Sequence, residues 1–365
     1  MNPLYRIAFG SLRGMTVKLA QEIISRIGNE ELFFTSTERQ LVCALGFNNK
    51  LLSQDYRNEV LENARKEADF INHNKINILY YTDEKYPTRL IDCDDAPAII
   101  YTTGDCDLNS SHIISIVGTR HATPYGLDFT THLIEDLASK IDNLVIVSGL
   151  AYGIDIAAHQ AALKNNIPTV AVLAHGLNTI YPATHRNIAV KMVRQGGALL
   201  TDYSSSCPVH KGNFVARNRI VAGMCDCLVV AESATKGGAL ITAKIASGYN
   251  RDVFALPGRK SDAYSAGCNR LIASNVASLI ENADDLIESM CWTSLKTEGA
   301  QQELNLDLTE EEKAVINYLT LHSEARINQL CIAINLPIAR LMALLVDMEF
   351  KGLIITYPGG LYRLA

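Results

Sequence analysis

The chain is 365 residues long, 48% hydrophobic and 20% charged, with 33 Lys and Arg against 39 Asp and Glu for a net charge of −6. That composition is ordinary for a globular protein with room for two or three cores, and it excludes a disordered or fibrous chain. No apolar run approaches the ~18 residues of a membrane span, and "MNPLYRIAFGSLRG" lacks a signal peptide's charged-then-apolar layout, so a cytoplasmic protein without membrane contact is expected.

Residues 1–80 predict short helices, because "TVKLAQEIISRI" and "NEVLENARKEADFINH" place apolar residues three and four apart. The Gly turn in "LRGMTVKLAQEI" resembles a helix-hairpin-helix, and we read the segment as a small helical domain of that or the SAM type, with a structural bundle as the simpler account. From "INILYY" to "YTTGD" the texture changes to β-branched and aromatic runs broken by Pro, Asp and Gly, a linking strand region that feeds the next domain. Residues 112–290 then alternate strand and helix. The strands are "IISIVG", "LVIVSG", "TVAVLAHG", "ALLTDY", "CLVVAE" and "DVFALPG", and helical patterns such as "GLDFTTHLIEDLASKI", "GIDIAAHQAALKN" and "ALITAKIASGY" lie between them. Near-continuous apolar strands separated by helices predict a doubly wound, Rossmann-like parallel sheet, hence an α/β fold. A linker is expected at 291–308. After it, 309–365 reads as a winged helix, three helices and a hairpin turned at "PGG", with Thr309 and Glu312 in capping-box spacing. The predicted domains are therefore 1–80, 81–290 and 309–365.

Nine cysteines at scattered positions predict reduced thiols. Cys225 and Cys227 are the closest pair, with no second pair to complete a zinc site, so they read as small buried residues at a strand start and no metal is expected.

Charge is unevenly distributed: residues 1–110 hold 12 Lys+Arg against 16 Asp+Glu, residues 111–270 hold 15 against 10, and residues 271–365 hold 6 against 13. The middle third is a basic island, sufficient for a phosphate backbone inside an acidic protein. The C-terminal module, with 5 basic and 6 acidic side chains over 309–365, and with few side chains on its third helix "PIARLMALLVDMEF" able to reach base edges, reads as a protein-contact unit.

Ligands bind doubly wound sheets beyond the carboxyl ends of the strands, and glycines and small polar residues concentrate there. Candidate phosphate-binding positions are Gly118 and Thr119 in "GTR", Ser148, Gly149 and Gly153 in "SGLAYGID", Gly237, Gly238 and Thr242 in "KGGALIT", and Asn269 in "GCNRLI". Catalytic sets are missing: no GxxxxGK[ST], no dinucleotide fingerprint, no GxSxG and no HExxH. Asp155 and Glu232 are carboxylates at a helix start and a strand end, where capping is the simpler role than acid or base. No cofactor and no catalysis are expected. In "KGNFVARNRIVAG", Arg217 and Arg219 flank Asn218 near the expected start of a helix, where cations are unfavourable unless an anion sits between them. With Arg120, Lys211 and Lys236 they supply cations, and Asn218 is a further candidate DNA contact. Phe214 offers a base-stacking face, or else packs the apolar side of its helix.

Several segments, in order, resemble the DNA-processing protein A (DprA/Smf) family. "SGLAYGID" fits its SGxAxGID, "GTRHATPYG" fits GxRxxSxYG with Thr123 for Ser, and "FVARNRIVAG" is similar to FPxRNRIIAG with Val215 for Pro. "KGGALITAKIA" is similar to xSGSLxTAxxA with Gly237 and Ala239 replacing serines, and "VFALPG" and "GCNRLI", the latter carrying Asn269, resemble VFAVPG and GxNxLI. The resemblance implies a non-enzymatic protein that binds single-stranded DNA in natural transformation, dimerises through its Rossmann domain and loads RecA recombinase. It implies DNA contacts from Arg120, Lys211, Phe214, Arg217 and Arg219. The rival readings are a lysine-decarboxylase-like nucleotide phosphoribohydrolase, whose motif carboxylate is missing from the helix after "KGG", and a winged-helix transcription factor with a sensor domain.

Overall fold

The computed structural model describes residues 3–293, 309–322, 324–351, 353–357 and 360–364. Packing divides the chain into two compact units, Met1–Leu295 and Lys296–Ala365.

The first unit opens with five helices: α1 (Pro3–Gly10), α2 (Val17–Ile27), α3 (Glu30–Thr35), α4 (Glu38–Leu45) and α5 (Gln54–Asn74). Side chains cap several of them. Thr16 accepts from the Leu19 N–H, and Thr37 and Gln40 close a capping box. Arg57 of α5 is fully buried and caps the other end of α3. Its guanidinium donates to the carbonyls of Phe33 (2.5 Å), Phe34 (3.1 Å) and Ser36 (2.8 Å). Burial lowers its pKa, but a cation among otherwise unpaired helix carbonyls is compensated.

Next come β1 (Asn77–Tyr80), α6 (Thr88–Ile91) and β2 (Ile99–Gly104), followed by the strand–helix alternation. This comprises β3 (His112–Val117), α7 (Pro124–Lys140), β4 (Leu144–Ser148), α8 (Ile154–Lys164), β5 (Thr169–Val172), α9 (Arg186–Arg194), β6 (Ala198–Thr201), α10 (Lys211–Gly223) and β7 (Cys227–Val230). It ends with α11 (Gly238–Gly248), β8 (Asp252–Ala255), α12 (Ala266–Ala273), β9 (Ser278–Leu279) and α13 (Ala283–Ser289). All six expected strands are present. They belong to a nine-stranded sheet of order β1-β2-β6-β5-β4-β3-β7-β8-β9, parallel from β6 to β9.

Two features differ from the sequence reading. The expected linking strand region is part of the sheet: β2 pairs antiparallel with β6, and β1 with β2, extending its edge. The helix over "NIAVKMVR", not singled out in the sequence, is α9. Along each central strand, successive side chains enter opposite cores, as a pleat requires. Ile113, Val145, Val170 and Leu228 join a cluster that includes Phe9, Phe33, Ile71, Ile220 and Ala243, while Ile114, Ile146 and Val229 pack with Leu133, Ile154, Ala158 and Leu286. The N-terminal helices thus share one core with the sheet. Cys225 and Cys227, both buried, enter one cluster each.

The second unit comprises α14 (Glu310–His322), β10 (Ala325–Arg326), α15 (Ile327–Ile334), α16 (Ile338–Phe350), β11 (Ile354–Tyr357) and β12 (Leu361–Leu364), a winged helix. The Thr309–Glu312 capping box forms, with the Thr309 N–H 2.7 Å from the Glu312 carboxylate. On α16, Ile338, Met342, Val346 and Phe350 form an exposed apolar stripe at four-residue spacing. Most of the expected linker, residues 294–308, and Pro358 and Gly359 of the expected "PGG" turn lie outside the described residues.

Candidate functional site

Sequential strands β3, β4, β5 and β6 step outward on one side of β3, and the chain then crosses back to lay β7 and β8 on its other side. The loops leaving β3 and β7 therefore diverge and leave a crevice at the switch point of the sheet. A cavity of about 610 Å³ opens there. Its floor is Gly118, Thr119 and Arg120 after β3 and Ser233 and Ala234 after β7, and its walls are the first turns of α10 and α11.

Helix α11 begins after Gly237, which has no side chain to cap it, so the N–H groups at Gly238 and Ala239 face the crevice with the positive end of the helix dipole. From α10, Lys211, Phe214, Val215 and Asn218 line the opposite wall. Their spacing of three, four and seven residues puts them on one helical face. His210 Nδ1 caps α10 by accepting from the Gly212 N–H at 3.1 Å, which starts the helix at Lys211. Arg217 and Arg219 consequently sit well inside the helix, beyond the reach of its N-terminal dipole. The electrostatic puzzle posed by the sequence does not arise in the folded helix.

Three expected cations stand free at the crevice. Arg120, Lys211 and Lys236 are exposed and make no salt bridge among the described residues. The Arg120 guanidinium lies 5.5 Å from the Phe214 ring centroid, a cation–π contact. Phe214 also meets the Tyr181 ring in a T-shaped contact at 5.7 Å, and it is half-buried. The sequence alternatives for Phe214 resolve into a crevice wall that packs on neighbours.

The two arginines of α10 diverge. Arg217 is 4% exposed, donates to the Val172 carbonyl and fills the space left by Gly149, where a Cβ would lie 2.2 Å from its guanidinium. Burial lowers its pKa, opposed by the charge of Asp155. Burial in turn raises the Asp155 pKa, opposed first by Arg217, and the carboxylate receives the Ala151 N–H at 3.4 Å. Arg219 points away from the crevice, pairing with Asp202 at 2.5 Å and donating to the Asp95 carbonyl. Residues two apart on a helix are separated by about 200°, so one crevice cannot receive both.

Several expected phosphate ligands support the loops instead. Ser148 is buried and donates to the Ile116 carbonyl at 2.6 Å, and Asn269 clamps Gly258 through its N–H (3.1 Å) and carbonyl (2.8 Å). Gly153 has φ +77°, and a Cβ there would lie 2.2 Å from the Thr119 carbonyl oxygen, so it permits the close crossing of the two strand-end loops. Thr242 is buried and donates to the Gly238 carbonyl at 3.1 Å, although it lines the crevice along with Gly237 and Gly238. Glu232 accepts from the Thr123 N–H (2.8 Å) and hydroxyl (2.5 Å) at the start of α7. Both candidate acid–base carboxylates are engaged in holding loops.

Sequence reasoning missed Tyr181, Tyr264 and His121 on the crevice wall. Tyr181 follows β5 in a loop whose only local signal is an aromatic next to proline, in a stretch between Asp155 and Asp202 that contains no acidic residue.

Fold and site define a doubly wound α/β protein whose switch-point crevice is walled by free cations, aromatic faces and helix N–H groups, a surface suited to phosphates. A family model described as DNA recombination-mediator protein A matches residues 77–291, and one described as DprA winged helix domain matches residues 299–360. The chain belongs to this DprA/Smf family. It is 32% identical over 290 residues to Protein Smf of Escherichia coli, covering 77% of this chain and 75% of that one. Among solved structures, it is similar to DNA processing protein A of Streptococcus pneumoniae, at 29% identity and a TM-score of 0.66 over 79% of this chain and 98% of that chain. It is also similar to DNA processing protein A of Helicobacter pylori, a structure described for its single-stranded DNA binding mode. There the identity is 30% and the TM-score 0.53, over 60% of this chain and 96% of that chain.

Proposed function

We propose that this protein binds single-stranded DNA in the switch-point crevice, without catalysis, and delivers the strand to RecA recombinase in natural transformation and recombination, acting as a homodimer through its Rossmann domain. The observation that carries the DNA reading is the arrangement of Arg120, Lys211 and Lys236 around the Phe214 and Tyr181 rings. Cations follow phosphates and rings stack bases, a combination tolerant of sequence. The single-stranded DNA binding mode for which the Helicobacter pylori relative is described supports the same ligand, and the family's description as a recombination mediator supports the partner. The exposed apolar stripe of α16 favours a protein partner for the winged helix over a DNA groove.

A nucleotide hydrolase needs a carboxylate free to act. Glu232 is committed to Thr123, and α11 carries no acidic residue.

Fluorescence anisotropy with fluorescein-labelled dT20 and a duplex of equal length tests the DNA reading. Single-strand binding is expected to weaken ~10–100-fold in Lys211→Ala plus Lys236→Ala at low salt, with thermal stability unchanged. Equal affinity of variant and native protein, or a preference for duplex, would place the strand elsewhere. For the partner, RecA's DNA-dependent ATPase on a strand precoated with single-strand-binding protein is expected to start sooner when this protein is added; an unchanged lag removes the mediator role.

A further inference from the structure

The crevice does not end at Phe214. Tyr181, which meets that ring at 5.7 Å, is itself 46% exposed and opens the loop that leads into α9. Four residues on, the buried His185 donates from Nδ1 to the Leu150 carbonyl at 2.9 Å, tying this loop to the one that follows β4. There Tyr152, 47% exposed, packs edge-on against the His185 ring at 4.8 Å, and its hydroxyl lies 3.1 Å from that of Thr184. Two large aromatic rings, each nearly half exposed, are thus held in place by their contacts with His185 and Phe214.

Beyond them runs α9. Its buried side carries Ala189 and Met192, and its outward arc of about 140° carries Arg186, Val190, Arg194, Asn187 and Lys191. Arg186, Lys191 and Arg194 are exposed and make no salt bridge among the described residues. No acidic residue occurs between Asp155 and Asp202, so nothing along this stretch of chain neutralises them. A solvated helix face in a protein of net charge −6 would ordinarily mix signs. This one is cationic from its first turn to its last, and it starts beside the aromatic pair.

We propose that α9 is a second, outer part of the DNA site: a strand leaving the crevice past Tyr181 stacks on Tyr152 and then follows Arg186, Lys191 and Arg194 down the flank of the sheet. The crevice and this track form one continuous surface, with rings at the mouth and phosphate partners along the helix. The inference rests on the reading of the crevice as a single-strand site, and it adds that short and long strands are held differently.

The test compares labelled dT6 with dT20 by anisotropy across a salt series. Native protein is expected to bind dT20 more tightly than dT6. In Arg186→Ala plus Lys191→Ala plus Arg194→Ala, the dT20 affinity falls ~10–100-fold at low salt and its log–log salt slope drops by about 2, or roughly 0.7 for each phosphate no longer neutralised, whereas dT6 affinity stays within about twofold. Tyr152→Ala weakens dT20 by ~5–100-fold, and Tyr152→Phe, which keeps the ring, restores it. Native dT20 affinity and slope in the triple variant would overturn the outer track while leaving the crevice reading intact. Failure of the native protein to bind either oligonucleotide would overturn both.

Discussion

At the scale of the residue, the interior of the sheet domain holds a histidine that is hydrogen-bonded at one ring nitrogen and unpartnered at the other. His159 of α8 is wholly buried against Thr169 of β5, with Nδ1 2.7 Å from the Thr169 hydroxyl. That hydroxyl donates to the Ile146 carbonyl at 2.8 Å, so its single proton is spent and Nδ1 must be the donor. Nε2 is then an acceptor with no partner, and a second ring proton would be buried without one. Burial, followed by the charges of Arg217 and His185, depresses the pKa to about 3. In the unfolded chain the ring titrates near 6.5. The folded state therefore binds the proton less well, and stability is complete above pH 6.5 and is lost as pH falls towards 3, at up to ~1.4 kcal/mol per pH unit. Urea titrations at pH 7 and pH 5 are expected to show the native protein losing about 2 kcal/mol more than His159→Gln over that interval. Parallel losses in the two proteins would mean that the ring is protonated in the folded state.

At the scale of the element, α10 shows how one short helix divides its side chains. Lys211, Phe214 and Asn218 face the crevice, Ile220 and Val221 enter the core, Arg217 is buried beneath the strand ends, and Arg219 clasps Asp202 and Asp95 on the far side. A pair of arginines one residue apart looks in sequence like a double cation for one ligand, but helical geometry separates them. Arg219→Ala should thus leave dT20 affinity within about twofold and lower stability by about 1–3 kcal/mol, because Asp202 keeps its charge in a largely enclosed place without a partner. Lys211→Ala should do the reverse. Denaturant unfolding and anisotropy on the same preparations check the pair, and a loss of affinity at constant stability in Arg219→Ala would return that residue to the strand.

At the scale of the whole molecule, the N-terminal helices and the sheet are joined by more than chain connectivity. Glu67 of α5 is buried and receives the Ser205 N–H at 2.9 Å on each oxygen and the Ser205 hydroxyl at 2.6 Å, which anchors the loop that leads into α10. Together with the common apolar core, this predicts a single cooperative transition for the residues described from 3 to 293. The one tryptophan, Trp292, packs on the opposite side of the sheet with Met290 and His112. Glu67→Ala should lower its fluorescence midpoint in urea by the equivalent of about 1–3 kcal/mol, in step with the loss of helical circular dichroism. A tryptophan midpoint that stays in place would show that the helices unfold by themselves.

Much of this was legible in the chain. Runs such as "LVIVSG" and "CLVVAE" are apolar at nearly every position because they are covered on both faces, and that burial alone identifies six strands of the parallel sheet and, through the loops that follow them, the end of the sheet where the crevice lies. The capping box at Thr309 and Glu312 was likewise written locally. Only the tertiary structure decided that β1 and β2 join the β6 edge antiparallel, that Ser148 and Asn269 brace loops, that Arg219 turns away, and that Tyr181 closes on Phe214 across the strand ends. The physical reason is range. Burial periodicity and capping act over a few residues and leave a trace in composition, whereas the choice of a strand's neighbour or of the face a side chain meets is made by partners tens of residues away, which the local pattern does not contain.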